Sequence, residues 1–294
     1  MIGLGIMGSA MAANLTRAGY RVLGYDVLAA RRRAHRRAGG QAARGCHDVG
    51  GSAGVVICSL PSSEALRRTA DELAQSTPPP RIVIDTSTLP IAVKEAARRR
   101  LAARGTTLLD CPLSGTGSQA RAKDLVVYAS GNRAAYRKVA PILDAIARAH
   151  YHVGPFGAGS KMKFVANLLV AIHNVAAAEA LVLAMKAGLD PATTLKVISD
   201  GAGSSRMLQV RGPSMVKGDY SKALMTLEIW QKDMRIIADF AREAGCTTPL
   251  FSATAPIYTA ATKAGRSRDT GAVCAVLERM AGVTRRKFKV RSAK

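Results

Sequence analysis

The spacing of hydrophobic and polar positions changes once along this chain. As far as about residue 152, short β-rich runs alternate with helical ones. YRVLGYD, AGVVICSLP, PRIVIDTST, GTTLLDCPL and DLVVYASG have strand composition and end in turn or polar residues. Between them SSEALRRTADELAQS and PIAVKEAARRRLAARG read as helices, the second stopped by arginines and Gly105. Such alternation predicts β-α-β units and a Rossmann-type, mostly parallel doubly wound sheet. Past Pro155 the strand signal ends. Helical patterns then cover about Ser160–Ala187, Ala192–Asp200, Leu224–Ala244, Pro249–Ala264 and Gly271–Met280, punctuated by Gly188, Gly245 and Gly265. The chain therefore divides into an α/β dinucleotide-type domain over residues 1–156 and an all-α domain over 157–294. A basic tail, TRRKFKVRSAK, closes the second and is expected to be solvated.

Composition narrows the class. With 48% hydrophobic residues in 294, the chain can bury a proper core, which excludes global disorder. Its five cysteines form no C-x-x-C pair, which fits a reducing compartment and excludes a disulfide framework. The histidines show no H-x-x-x-H or H-E-x-x-H spacing, so no metal is expected. No G-x-S-x-G elbow is present either. The net charge of +23 collects in Arg31–Arg33 with Arg36 and Arg37, in Arg98–Arg100, and in the tail. Aromatics make up only 4% and do not interleave with these clusters, which argues against a nucleic-acid platform. An anionic cofactor and an anionic substrate would both be drawn to such a field. FVANLLVAIHNVAAAEALVLAM is long enough to cross a bilayer, but Asn167, His173, Asn174 and Glu179 interrupt it, so a buried helix is expected. The apolar first fifteen residues lack a basic n-region. A cytoplasmic protein without a membrane partner is the expectation.

Candidate chemistry begins at the first residues. GLGIMG places Gly3, Gly5 and Gly8 just ahead of a predicted helix, Met7–Ala18, and before the strand RVLGYD. Gly3 permits the tight turn, Gly5 lets the backbone approach a pyrophosphate, and Gly8 allows close helix–sheet packing. The helix N-terminus offers its free N–H groups to phosphate. Asp26 follows Gly8 by 18 residues and ends the second strand, where a carboxylate bonds the ribose hydroxyls of NAD. A 2′-phosphate would be repelled there, which favours NAD; Arg31–Arg33 nearby leave NADP open.

GLGIMGSAMAANL continues beyond the glycines through Met7, Met11 and Asn14, and so resembles the N-terminal signature of the β-hydroxyacid dehydrogenases. That family includes 3-hydroxyisobutyrate dehydrogenase and tartronate semialdehyde (2-hydroxy-3-oxopropionate) reductase. Further motifs follow in the family's order, from residue 2 to about 282. The resemblance implies that Leu4, Ile6 and Met7 line the cofactor together with Gly3, Gly5 and Gly8. SLPS and IDTST would border the nicotinamide through Leu60, Pro61, Ser87 and Thr88. DCPLSGTGSQA resembles the substrate loop: the Ser114 hydroxyl and the backbone N–H groups of Gly115 and Thr116 would cradle a carboxylate, with Thr116 standing where many relatives have glycine. In GAGSKMKFVANLL, Lys163 and Asn167 are four apart and share a helix face. The family places its catalytic lysine and a substrate-binding asparagine at this spacing. Lys161 lies on another face. Lys163 near a helix start also opposes the helix dipole, which makes it a poor ornamental surface residue. Lys232 and Asp233 resemble the family's K-D pair near the cofactor.

The activity implied is interconversion of a small 3-hydroxy acid and its semialdehyde with NAD, Lys163 acting as general acid and base. A homodimer or homotetramer is implied by resemblance alone. Two alternatives share features of the chain: an imine reductase-like enzyme, against which Lys163 argues, and a non-catalytic relative binding nucleic acid through its basic surface. The family also has several residues ahead of GLG to complete its central strand, whereas Met1 and Ile2 alone stand here, so weakened sheet pairing is expected at that strand.

Overall fold

Strands form where Val, Ile and Leu can be buried on both faces of a sheet, and helices where one stripe must be. In the computed structural model, which describes residues 1–285, the chain forms two compact units, Met1–Lys163 and Phe164–Lys294. The first runs α1 (Ile6–Arg17), β1 (Leu23–Gly24), α2 (Ala29–Arg37), β2 (Gln41–Ala42), α3 (Cys46–Ser52), β3 (Val55–Cys58), α4 (Ser63–Ala74) and β4 (Ile82–Asp85). It continues through α5 (Ile91–Ala102), β5 (Thr107–Asp110), β6 (Leu113–Ser114), α6 (Gly117–Arg121), β7 (Val126–Ala129), α7 (Arg133–Ile146) and β8 (Ala149–His152). Helix α8 (Ala158–Lys186) starts in this unit and ends in the second. The division at Lys163 thus falls inside a helix, beyond the change of pattern at residue 156.

Strands β3, β4 and β5 pair in parallel, with Cys58, Asp85 and Asp110 in register at their ends. Strands β1 and β2 are also parallel, β8 is parallel to β7, and β6 alone is antiparallel to it. Single bridges complete the sheet: Ile2 with both Tyr25 and Cys58, and Asp110 with Ser130. The expected weakness of the first strand is only partial. Ile2 N–H donates to Ile57 O at 2.8 Å and Gly3 N–H to Tyr25 O at 2.8 Å, while Tyr25 and Ser59 return N–H bonds to Met1 and Ile2. Met1 and Ile2 even alternate as strand residues should. Met1 packs with Ile57, Ile84 and Leu109 on one face, Ile2 with Val56, Val83 and Leu108 on the other.

The second unit is helical: the rest of α8, then α9 (Pro191–Asp200), α10 (Arg206–Lys217), α11 (Leu227–Glu243), α12 (Pro249–Ala264), a 3₁₀ turn over Thr270–Ala272, and α13 (Val273–Met280). Two features differ from expectation. Helix α10 goes unpredicted, although Ser205 caps Leu208 N–H and Gly218 closes it at φ 69°. Helix α11 starts at Leu227 rather than Leu224, because Leu224 and Met225 turn their N–H groups to the buried Asp269 carboxylate and Thr226 caps Ile229. The long apolar helix α8 packs within protein. Ala171, Ala178 and Leu181 are buried, and Asn174 Nδ2 donates to Tyr258 Oη and Thr270 O, both at 3.0 Å. The basic tail lies, from residue 286 on, outside the described residues; ahead of it Arg285 bonds Val216 O at 2.7 Å and pairs with Glu278.

A Cβ on Gly8 would stand 1.8 Å from Gly3 O, whereas one on Gly45 would meet nothing within 4 Å. Gly8→Ala is therefore expected to lose about 3 kcal/mol of stability in urea denaturation, and Gly45→Ala no more than about 1 kcal/mol.

Candidate active site

The glycine turn is built by close backbone approach. Gly3 has φ 86°, and a Cβ there would overlap Ser59 O at 2.2 Å, so only glycine fits between the first strand and β3. Gly5 caps α1 and has no side chain to bond the first-turn N–H groups, which remain directed at the turn. That combination suits a pyrophosphate: orphan donors, a helix N-terminus and no Cβ in the way. Leu4 is buried and Met7 packs against the core, while Ile6 is exposed at the mouth of the turn.

Asp26 lies beside this turn, nearly buried. Its Oδ2 accepts Leu4 N–H at 2.8 Å and faces Arg31 Nη1 at 3.2 Å, and its Oδ1 accepts Leu28 N–H at 2.9 Å. A carboxylate offers about four acceptor sites, so one remains for a ribose hydroxyl. Arg31, half exposed, partly balances the charge that would repel a 2′-phosphate.

Leu60, Pro61, Ser87 and Thr88 follow β3 and β4, at the carboxyl ends of parallel strands, where open α/β sheets bind ligands. They are not independent. Leu60 N–H donates to Ser87 Oγ at 2.9 Å, and Ser87 Oγ–H donates to Asp85 Oδ1 at 2.6 Å. Asp85 in turn faces the fully buried Lys94, whose Nζ lies 3.0 Å from Asp85 Oδ2 and 2.7 Å from Asp110 Oδ1. Burial alone would discharge Lys94, but the two carboxylates outweigh it and hold its pKa above the ordinary lysine value. Sequence reasoning missed Lys94, Asp85 and Asp110 as site residues. The signal was present: acidic residues ending two otherwise apolar strands, IVID and TLLD.

In the substrate loop, Ser114 ends β6 and is half-buried, and Gly115 has φ 137° with Leu125 so near that a Cβ would overlap it at 2.6 Å. One expectation is corrected here. Thr116 N–H already donates to Gln119 Oε1 at 3.0 Å, because Thr116 caps α6, so it is not an open arm of an anion cradle. The loop is tied to the cofactor helix by Asn14 Nδ2, which donates to Ala120 O at 2.7 Å. Neighbouring thiols offer no nucleophile, since burial pushes Cys58 and Cys111 well up.

On α8, Lys161 is exposed and Lys163 is half-buried at the end of the first unit. In the second unit Asn167 is buried and its Nδ2 donates to Asp233 Oδ2 at 3.2 Å, and Asp233 Oδ1 faces Lys232 Nζ at 3.3 Å. The K-D motif thus holds Asn167: Asp233 is buried and Lys232 partly exposed. Among the described residues no cluster of His, Cys, Asp and Glu is arranged to hold a metal. His150 instead bonds Tyr136 Oη at 2.7 Å and Asp144 at 3.1 Å.

Known proteins resemble this arrangement along its length. The family profile described as the NAD binding domain of 6-phosphogluconate dehydrogenase matches residues 1–154. A second, described as NAD-binding of NADP-dependent 3-hydroxyisobutyrate dehydrogenase, matches residues 157–277. L-threonate dehydrogenase of Cupriavidus necator is 34% identical over 273 residues, 92% of each chain. NAD-dependent L-serine dehydrogenase of Pseudomonas aeruginosa is 32% identical over 276 residues, 90% of this chain and 92% of that one. The structure of Mycobacterium tuberculosis 3-hydroxyisobutyrate dehydrogenase with L-serine has a TM-score of 0.85 at 30% identity, covering 94% of this chain and 97% of that one.

A Cβ on Gly5 would touch only Arg31 Nη1, at 3.8 Å. Gly5→Ala should leave the melting temperature within a few degrees of the parent, about 1 kcal/mol or less. NADH affinity measured by fluorescence titration should fall at least about tenfold, as the methyl group occupies the phosphate's approach.

Proposed function

The chain belongs to the β-hydroxyacid dehydrogenase family and is an NAD(P)-dependent dehydrogenase of small hydroxy acids, and from that premise we propose that it interconverts a 3-hydroxy acid and its semialdehyde, with NAD preferred. The observation that carries the reading is the polar pair Lys163 and Asn167, one turn apart on α8, the first half-buried and the second buried. Polar side chains are costly to bury at the head of an apolar helix unless they are used.

Gly3, Gly5, Gly8 and the start of α1 would hold the pyrophosphate, Asp26 the ribose, and Leu60, Pro61, Ser87 and Thr88 the nicotinamide end. The bound dinucleotide supplies the hydride acceptor in oxidation and the donor in reduction. The Ser114 hydroxyl and the Gly115 backbone receive the substrate carboxylate. Thr116, its N–H committed to Gln119, narrows the loop and presents its side chain. Asn167 spends one N–H on Asp233, which leaves its other N–H for substrate and fixes the orientation of the amide. Lys163 Nζ accepts the hydroxyl proton as the carbinol carbon gives up hydride, and returns it in reduction. The preference for NAD rests on Asp26, whose carboxylate would sit against a 2′-phosphate. Five free cysteines are consistent with a cytoplasmic enzyme, and a homodimer or homotetramer follows from likeness to the family.

The test is NADH formation over L-threonate, L-serine, 3-hydroxyisobutyrate, glycerate and 4-hydroxybutyrate, with NAD and NADP in parallel. Turnover of at least one 3-hydroxy acid is expected, at higher kcat/KM with NAD. Lys163→Ala should lower kcat by about 10²–10⁴-fold while NADH still binds. A Lys163→Ala variant with parental kcat would overturn the assignment of the proton-transfer group.

A further inference from the structure

The charge cluster under the sheet's carboxyl edge has no place yet in the mechanism. Lys94 lies between Asp85 and Asp110, which are paired in register on adjacent strands. One ammonium faces two carboxylates, and the second carboxylate finds its complement elsewhere. Asp110 Oδ2 accepts the backbone N–H of Ser160 at 2.8 Å, and its Oδ1 accepts the Ser160 hydroxyl at 2.8 Å. Gly159 N–H donates to Ser130 Oγ at 2.9 Å, and that oxygen lies 3.2 Å from Asp110 Oδ2. Ser160 is the third residue of α8, so these bonds satisfy orphan first-turn donors with an anion at the positive end of the helix. The other carboxylate, Asp85, holds Ser87 and through it Leu60.

A buried ion cluster seldom stabilises more than apolar side chains of the same volume. What this one does that Leu or Met would not is join two places by directed bonds. One is the Leu60–Ser87 ledge; the other is the first turn of the helix that carries Lys163. We propose that Asp110, braced by Lys94, is a positioning residue that fixes the first turn of α8, and with it Lys163, against the Leu60–Ser87 ledge. The proposal rests on the reading of Lys163 as the proton-transfer group. Hydride and proton leave adjacent atoms of one substrate, so the ledge bordering the nicotinamide and the lysine must keep a fixed separation.

Asp110→Asn tests this in the full-length protein. It leaves Lys94 paired one-to-one with Asp85 and deletes the anion at the start of α8. The expected result is a folded protein with NADH affinity within twofold of the parent and kcat at least tenfold lower. Amide hydrogen exchange should be faster in the segment 157–167, a readout that needs no turnover. Ser160→Ala, which removes only the hydroxyl contact, should lose kcat threefold to tenfold with NADH binding unchanged, and it decides the matter if Asp110→Asn does not fold. Parental kcat and parental exchange in either folded variant would overturn the proposal, as would a loss of kcat matched by an equal loss of NADH affinity. Lys163→Ala separates the two readings. If it is active, the proton-transfer assignment falls; if it is inactive while both network variants keep the parental kcat, only the positioning role falls.

Discussion

Lys94 Nζ shares two carboxylates in a sheet core where no water reaches, and most of what surrounds the first unit's site is arranged around that sharing. Taking each ion out of water costs several kcal/mol. The cost is offset only if every remaining lone pair and proton finds a partner, and here serines supply them: Ser87 for Asp85, Ser130 and Ser160 for Asp110. Three loops and the start of α8 are thereby bound to positions dictated by strand register. Asp85 and Asp110 can face one ammonium because parallel pairing sets them side by side at the ends of β4 and β5.

The other constraint is the backbone contact between Gly3, Gly8 and Ser59. Methyl-sized groups at either glycine would push the first strand from β3 or α1 from the first strand. That closeness brings the start of α1 to the carboxyl edge of the sheet, near the ends of β3 and β4. Both constraints act at the same edge, one through contact and one through charge, and Asn14 adds a third tie by holding the substrate loop to α1. The helical unit uses the same device on a smaller scale: buried Asp233 orients Asn167, and buried Asp269, paired with Arg211, gathers the N–H groups ahead of α11.

Relatives named for L-threonate, L-serine and 3-hydroxyisobutyrate share this chain's frame. What those compounds have in common is a carboxylate close to a hydroxyl. A loop presenting Ser114 and the backbone at Gly115 reads the carboxylate alone. Discrimination among hydroxy acids then falls to side chains around it, where Thr116 replaces a common glycine and has its N–H occupied by Gln119.

From the sequence alone came the alternation that defines the α/β half, the helical second half, the glycine turn, and the Lys163–Asn167 spacing. These are local properties: periods of two and 3.6, turns that need glycine, and residues one helical turn apart. Tertiary structure decided the rest. PIAVKEAARRRLAARG reads as a helix with a basic surface, and nothing in its pattern separates Lys94 from the exposed arginines that follow it. Lys94 is buried because its counterions lie on two strands, one before it in the chain and one after. Likewise the duties of Asp233 and Thr116 depend on Asn167 and Gln119, and the effective length of the first strand on bonds donated by β1 and β3. An ion or a hydrogen-bond donor is defined by its partner, and where the partner comes from a distant element only the folded chain supplies it.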